Sequence, residues 1–321
     1  MFPGIIRYLL PAHLSAKSVS DQRLPAGAVA EGQGGGLLPF LKWPGGKRWI
    51  APAVAEILAD DTGRYIEPFL GAGAVFFRLR PEGALLADVN RDLMTVYGAL
   101  RDQPDRLFES IRRLKINPMS YRRIRASRPM DRFHRAARFM YLNRTAFNGL
   151  YRVNRIGEFN VPFGGRAKQP LFKRTDLRAY SRVLRGHHLM SRGYASTLRH
   201  AESSDRLFVD PPYPTQPGDD FFGRYHSTLF TATDQEKLAG VLIGLARSGT
   251  RIVVTNALNQ NVLDLYPDTW FRAFVVQRIS RVAASAKARR SVQELLLVSR
   301  SLAVPNHLVT GPAAQLTAFA R

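Results

Sequence analysis

Cysteine is absent from all 321 residues. That absence removes disulfides, thiolate metal sites and every reaction that needs a cysteine nucleophile. Acids are scarce as well. The 25 Asp+Glu face 47 Lys+Arg, a formal charge of +22, and a surplus of that size points to polyanionic partners. No run of about 18 apolar residues exists to span a bilayer. The apolar start Ile5-Ile6-Arg7-Tyr8-Leu9-Leu10 is too short and too interrupted for a secretory leader, so a cytoplasmic location is the expectation. No cluster of His, Asp or Glu has metal-ligand spacing, and the pair His187-His188 reads as surface polar sequence. Against these gaps stand 45% hydrophobic and 10% aromatic content, enough for a substantial core and too much for a collagenous or disordered chain.

Charge is unevenly distributed. Residues 112–192 hold 21 Arg+Lys and three acids, Asp131, Glu158 and Asp176, so 18 of the 22 net positive charges lie in a quarter of the chain. GC-rich coding explains Arg in place of Lys but not the loss of acids; the segment reads as a polyanion-binding surface. Residues 1–36 are rich in Ala, Gly, Pro and Ser and end in Gly32-Gln33-Gly34-Gly35-Gly36, the composition of a flexible leader. Residues 301–321 are mildly apolar and motif-free, an expected C-terminal appendix. Between these ends, short apolar runs at 64–67, 84–87, 206–209, 251–255 and 294–298 predict strands, and 73–80, 91–100 and 235–246 predict helices. That alternation predicts an α/β sheet. The basic segment interrupts it with Arg-rich helical sequence such as 132–142, so the expected division is 37–112, an inserted 113–192, and 193–300.

Three segments carry chemistry. In Glu67-Pro68-Phe69-Leu70-Gly71-Ala72-Gly73 a strand feeds a glycine turn that opens a helix, an arrangement that lets a ligand approach the backbone at the edge of a sheet. The next strand ends in Asp88, whose carboxylate can accept both hydroxyls of a ribose. NAD and S-adenosylmethionine both fit that pair. In Phe40-Leu41-Lys42-Trp43-Pro44-Gly45-Gly46-Lys47, an aromatic, a tight turn and lysines can wrap an adenosine and its charged tail. The third segment, Asp210-Pro211-Pro212-Tyr213, follows a strand. Its prolines stiffen the turn and free carbonyls from competing N–H donors. A carboxylate and a proline carbonyl can each accept a hydrogen bond from a planar amino group, while Tyr213 offers a ring on which a base stacks.

Together these segments resemble the Dam-type family of DNA adenine-N6 methyltransferases. The stretch 141–164, with Asn148-Gly149-Leu150, Arg152 and Val161-Pro162-Phe163-Gly164, looks like that family's target-recognition signature. The resemblance covers about 37–300 in the family's motif order. It implies a Rossmann-like S-adenosylmethionine-dependent methyltransferase sheet with an inserted helical DNA target-recognition domain at 113–192. It further implies that Trp43, Lys47, Phe69, Gly71, Gly73 and Asp88 bind the cofactor, and that Asp210 borders both cofactor and target amine. Asp210, Pro211 and Tyr213 would hold a flipped adenine. Asn148, Leu150, Arg152 and Pro162 match positions that read GATC, Arg152 facing a guanine, and Lys42 matches a further DNA contact. The expected partner is double-stranded DNA, with neither a membrane nor an obligate protein partner.

Two departures stand out. The stretch 281–290 keeps basic charge but lacks the glycines of an Asn-Gly-Gly loop, and Gly164-Gly165-Arg166-Ala167 lacks an aromatic that some relatives carry there. The missing cysteine excludes methylation at cytosine C5, which requires a thiolate attack on the ring; transfer to an amino nitrogen remains. An NAD-dependent oxidoreductase would explain the glycine turn and Asp88 but not the basic segment or Asp210 to Tyr213. A catalytically silent DNA-binding protein would explain the charge but not an intact cofactor set.

Overall fold

Strands covered on both faces need no polar alternation, and four short apolar runs pair in parallel on that basis. The computed structural model describes residues 37–60, 62–154, 156–165, 167–212, 230–279, 291–310 and 315–319. Its strands are β1 (Tyr65–Glu67), β2 (Ala84–Ala87), β3 (His188–Met190), β4 (Arg206–Val209), β5 (Arg251–Ala257), β6 (Phe271–Ile279), β7 (Ser291–Ser299) and β8 (Thr317–Ala318). Its helices are α1 (Ala51–Ile57), α2 (Ala74–Leu79), α3 (Arg91–Asp102), α4 (Pro104–Arg112), α5 (Pro118–Ala126), α6 (Arg132–Thr145), α7 (Arg174–Leu184), α8 (Tyr194–Leu198), α9 (Ala232–Arg247), α10 (Gln260–Asp264) and α11 (Asn306–Val309).

Among the described residues the strands form one mixed sheet in the order β3-β2-β1-β4-β5-β7-β6-β8. The register sets Tyr65 of β1 beside both Ala84 of β2 and Arg206 of β4. From β1 the chain winds outward through β2 and β3, then returns to β4 on the other flank of β1. The strand order therefore reverses between β1 and β4, and it is at the carboxyl ends of strands flanking such a reversal that ligands bind in sheets of this kind. β5 continues the parallel set, with Val209 beside Val254, whereas β7 and β6 run antiparallel.

Successive side chains of each strand point to opposite faces, and two cores result. Tyr65, Phe208, Val253 and Leu296 join the core under α1, α2, α3, α4, α6 and α7. Ile66, Leu207, Ile252 and Leu297 join the core under α8, α9 and α10. The basic segment contributes to the first of these and has a smaller core of its own. Phe133, Ala137 and Met140 of α6 pack with the main core, while Tyr141 and Leu142 of the same helix pack with Tyr121, Ile124, Phe159 and Val161. Asp131 caps α6 by accepting from the amides of Phe133 and His134 at 2.9 and 3.0 Å, a contribution of about 1 kcal/mol.

Two local expectations change. His187 is buried, with its ring edge-on to Phe76 at 5.1 Å and 90°. Burial lowers the pKa of its imidazole, so it belongs to the core, while His188 is exposed at the start of β3. The segment after Ser301 places Leu302, Leu308 and Leu316 in the main core, and β8 pairs with β6. Residues 1–36 lie outside the described residues, as do 281–290. No helix among the described residues is long and apolar enough to cross a membrane.

At the amino end of β4, buried Asp205 accepts from the Arg64 backbone amide (3.0 Å), its Nε (3.2 Å) and Nη2 (2.8 Å), and from the Glu202 amide (2.9 Å). Asp205→Ala leaves those donors unmatched. Because Arg64 faces solvent on one side, the expected loss is about 2–3 kcal/mol rather than that of a fully buried pair. Urea unfolding is expected to show a lower midpoint at unchanged slope; an unchanged midpoint contradicts this account of the β1–β4 seam.

Candidate active site

The glycine turn is built by backbone geometry. Gly71 and Gly73 adopt φ of +48° and +65°, the left-handed region that glycine enters without strain. The Leu70 amide bonds to the Ala87 carbonyl at 2.9 Å, tying the turn to the end of β2. Asp88 completes the tie: one carboxylate oxygen accepts from the Gly71 amide at 3.0 Å and the other from the Asn90 amide at 2.8 Å. Burial raises the pKa of Asp88 while those two donors pull it down. Two N–H bonds leave acceptor capacity on this carboxylate for hydroxyl groups. Tyr97, which motif reading passed over, donates its hydroxyl to the Gly71 carbonyl at 3.0 Å.

Asp210 lies at the end of the neighbouring strand. The β4–β5 register brings it beside Thr255, whose hydroxyl donates to Asp210 Oδ1 at 2.6 Å. Lys47 Nζ is 2.9 Å from the same oxygen, donates to the Gly45 carbonyl at 2.8 Å, and lies 3.7 Å from Glu294 Oε2. Lys47 and Glu294 are each 3% exposed and Asp210 is 20% exposed, so the aspartate is the most accessible member of the triad. Among the described residues no hydrogen bond is made to Asp210 Oδ2. Burial pushes the Asp210 carboxyl above the ordinary aspartate range; Lys47 and Thr255 oppose the rise and Glu294 adds to it. Glu67, at the end of β1, accepts from the Tyr65 hydroxyl at 2.7 Å. Its pKa is pushed up to about 8, chiefly by burial, with Asp210 and Asp88 adding and Tyr65 opposing.

Aromatic rings wall the turn on two sides. Phe69 stacks on Tyr194 at 5.6 Å and meets Phe230 edge-on at 5.8 Å. Trp43 lies over Gly71, where an added Cβ would come within 2.8 Å of the indole. The same indole stacks on Tyr151 at 5.5 Å and on Phe139 at 6.3 Å, joining the turn to the basic segment. Lys42 makes a second junction: its backbone N–H and carbonyl both bond to the buried Asn143 amide, at 3.0 and 2.6 Å. Its stem rests against Gly149, where an added Cβ would meet it and force it aside.

The remaining expected residues share a ribbon closed by the Ala146–Phe163 and Val153–Phe159 bridges. Asn148 is exposed with φ +52°, Leu150 and Arg152 are half-buried, and Pro162 is exposed. Arg152 Nε donates to Asn160 Oδ1 at 2.7 Å, and the Pro162 carbonyl accepts from the Phe147 amide at 2.9 Å. Pro211 is buried beside Asp210; Tyr213 lies outside the described residues. Thus Gly71, Gly73, Asp88, Asp210 and Lys47 surround the strand ends, Trp43 and Phe69 flank the turn, and Lys42 bridges to the ribbon. Thr255 and Glu294 carried no motif. Their signal was a polar residue at the end of an otherwise apolar strand run, Ile252-Val253-Val254 for one and Leu295-Leu296-Leu297 for the other.

A sheet whose order reverses at β1 and β4, with carboxyl groups gathered at the strand ends, defines an α/β protein of the doubly wound kind. Residues 43–282 match the D12 class N6 adenine-specific DNA methyltransferase family, and the chain belongs to that family. It is 29% identical over 273 residues to the type II methyltransferase M1.LlaDCHI of Lactococcus lactis subsp. cremoris, covering 82% of this chain and 95% of the relative. Identity to the type II methyltransferase M.MjaIII of Methanocaldococcus jannaschii is 30% over 285 residues, covering 81% and 98%. With the DNA adenine methylase of Escherichia coli it is 31% over 270 residues, covering 80% and 93%.

Gly71→Ala is expected to cost about 1–3 kcal/mol for the left-handed backbone alone, plus the contact with Trp43. Thermal unfolding of Gly71→Ala with and without Trp43→Ala separates the two costs. Equal losses in both backgrounds would mean that the indole does not constrain the turn.

Proposed function

We propose that this chain transfers a methyl group from S-adenosylmethionine to N6 of an adenine rotated out of double-stranded DNA, within GATC, in the cytoplasm. The observation that carries the reading is the adjacency of the glycine turn and the open carboxylate of Asp210 across the β1–β4 reversal. The donor set supports this cofactor over NAD. In a chain of charge +22, Asp210 and Glu294 face one lysine, and the Gly71 amide of the glycine turn already bonds to Asp88. Such a site repels a pyrophosphate and suits a ligand with an ammonium, a sulfonium and ribose hydroxyls. When bound, S-adenosylmethionine supplies a methyl group on positively charged sulfur.

The residues of the chain do the rest by positioning. Adenine N6 is a poor nucleophile because its lone pair is delocalised into the ring, so the base must leave the stack and have its amine held from both hydrogens. Asp210 Oδ2 accepts one of these and the Pro211 carbonyl the other, while Tyr213 stacks on the base. As the nitrogen becomes positive, Asp210 takes its proton. Trp43, Phe69, Gly71, Gly73 and Asp88 hold the cofactor, with Lys47 fixing the Asp210 carboxylate beside it. Residues 113–192 act as the target-recognition domain. Asn148, Leu150, Arg152 and Pro162 read base edges, Arg152 suiting O6 and N7 of guanine, and Lys42 adds a contact from the cofactor loop. Sensitivity of plasmid DNA to GATC-specific nucleases tests the sequence assignment.

Asp210→Ala is expected to lower methyl transfer from tritiated S-adenosylmethionine by about a thousandfold or more while DNA affinity survives. Parallel loss of both would argue that the residue is structural. The wild-type rate is expected to fall on the acid side at a pH above the usual aspartate value of about 4, because only the ionised carboxylate accepts from the amine and burial raises its pKa. Lys47→Ala removes an opposing charge and is expected to move that limb further toward neutrality. A pH–rate profile whose acid limb stays put in Lys47→Ala would contradict the pairing.

A further inference from the structure

Consecutive residues of β5 hold both ends of the Asp210-Pro211-Pro212 corner from opposite faces of the strand. Thr255 bonds Asp210 directly. Asn256, fully buried, points the other way. Its Nδ2 donates to Gln235 Oε1 at 3.1 Å, and Gln235, 6% exposed in the first turn of α9, donates its Nε2 to the Pro212 carbonyl at 3.3 Å. The Asn256 Oδ1 accepts from the Ala257 amide at 2.8 Å. Groups with a single role dictate the polarity of this relay at each end: a backbone N–H only donates and a proline carbonyl only accepts. Asn256 must therefore turn its nitrogen to Gln235, and Gln235 must turn its nitrogen to Pro212.

The relay acts at the far end of the corner, on ψ of Pro212, which neither proline ring fixes. The two proline rings fix φ at 211 and 212, and Thr255 with Lys47 holds Asp210. A donor on the Pro212 carbonyl fixes ψ of that residue. A neutral amide bond of 3.3 Å contributes little stability, so its effect lies in orientation.

We propose that Gln235, backed by Asn256, is a positioning residue for methyl transfer: it locks the Pro212 carbonyl and with it the shape of the corner that holds the target amine. This rests on the reading of Asp210 and Pro211 as the amine-binding pair. Gln235 is buried and acts through the Pro212 carbonyl, so its loss is expected to lower kcat and leave KM for DNA and for S-adenosylmethionine nearly unchanged.

The test uses the full chain, tritiated S-adenosylmethionine and duplex DNA containing the methylated sequence, with kcat and KM measured across pH and folding checked by urea unfolding. Gln235→Glu keeps the size and the oxygen that Asn256 needs, but it donates to Pro212 only when protonated. Its kcat is expected to approach wild type at the acid end and to fall by about tenfold or more as pH rises, opposite in sense to the acid limb set by Asp210. Gln235→Met is expected to lose a similar factor at every pH. Asn256→Asp places an acceptor against Gln235 Oε1, turning the amide over and lowering kcat with Gln235 intact; the double variant with Gln235→Met is expected to be no worse than Gln235→Met alone. The inference is overturned if Gln235→Glu shows no pH dependence beyond that of wild type, if KM rises in place of a fall in kcat, or if the losses in the two single variants multiply. Asp210→Ala is the control. If it stays active, the reading of the site fails; if it is inactive while Gln235→Met keeps wild-type kcat, only the role of Gln235 fails.

Discussion

The parallel pairing of β1 with β4 is the constraint on which the rest depends. Because β2 and β3 fill one flank of β1 and β4 starts the other, the glycine turn after Glu67 and the corner after Val209 leave adjacent strands in the same direction. Neither segment has a reason to meet the other in the sequence, where more than a hundred residues separate them. The sheet supplies the meeting. Asp88, at the end of β2, then pins the turn through its amide, and Thr255, at the end of β5, pins the corner through its carboxylate. Four neighbouring strand ends thus fix one site.

Electrostatics divides the molecule along the same lines. Positive charge concentrates in the segment between β2 and β3, while the strand ends gather carboxyl groups around Lys47. The basic surplus and the carboxyl groups around Lys47 thus belong to different parts of the chain. Trp43 and Lys42 join the two. The indole lies on the glycine turn and on Tyr151, and the lysine backbone is held by Asn143 of α6. The basic segment is therefore anchored to the site at two points, through rigid rings and a two-bond amide clasp rather than through a flexible tether.

Much of this was legible because of what burial does to sequence. Runs such as Leu207-Phe208-Val209 and Ile252-Val253-Val254 read as strands because helices cover both faces and no alternation is needed. The glycines and prolines of the two corners were legible because few residues tolerate those backbones. Other features were hidden. β6 carries Arg272, whose guanidinium bonds to the Leu302 carbonyl and so lies within an otherwise apolar strand, and β3 is three residues long. The burial of Lys47, Glu67 and Glu294 was beyond reach, since an ionisable residue is buried only where a distant partner meets it. The C-terminal segment looked idle because its leucines, spaced irregularly, fill gaps in a core made elsewhere.

The central claim is that an acidic corner presents an extruded adenine to a methyl donor held by the neighbouring turn. Single-base mapping of modified nucleotides in DNA from cells expressing this chain tests it most directly. The account predicts N6-methyladenine at one position of a fixed short sequence, GATC. Methyl groups on cytosine N4, or adenine methylation without sequence preference, would contradict it.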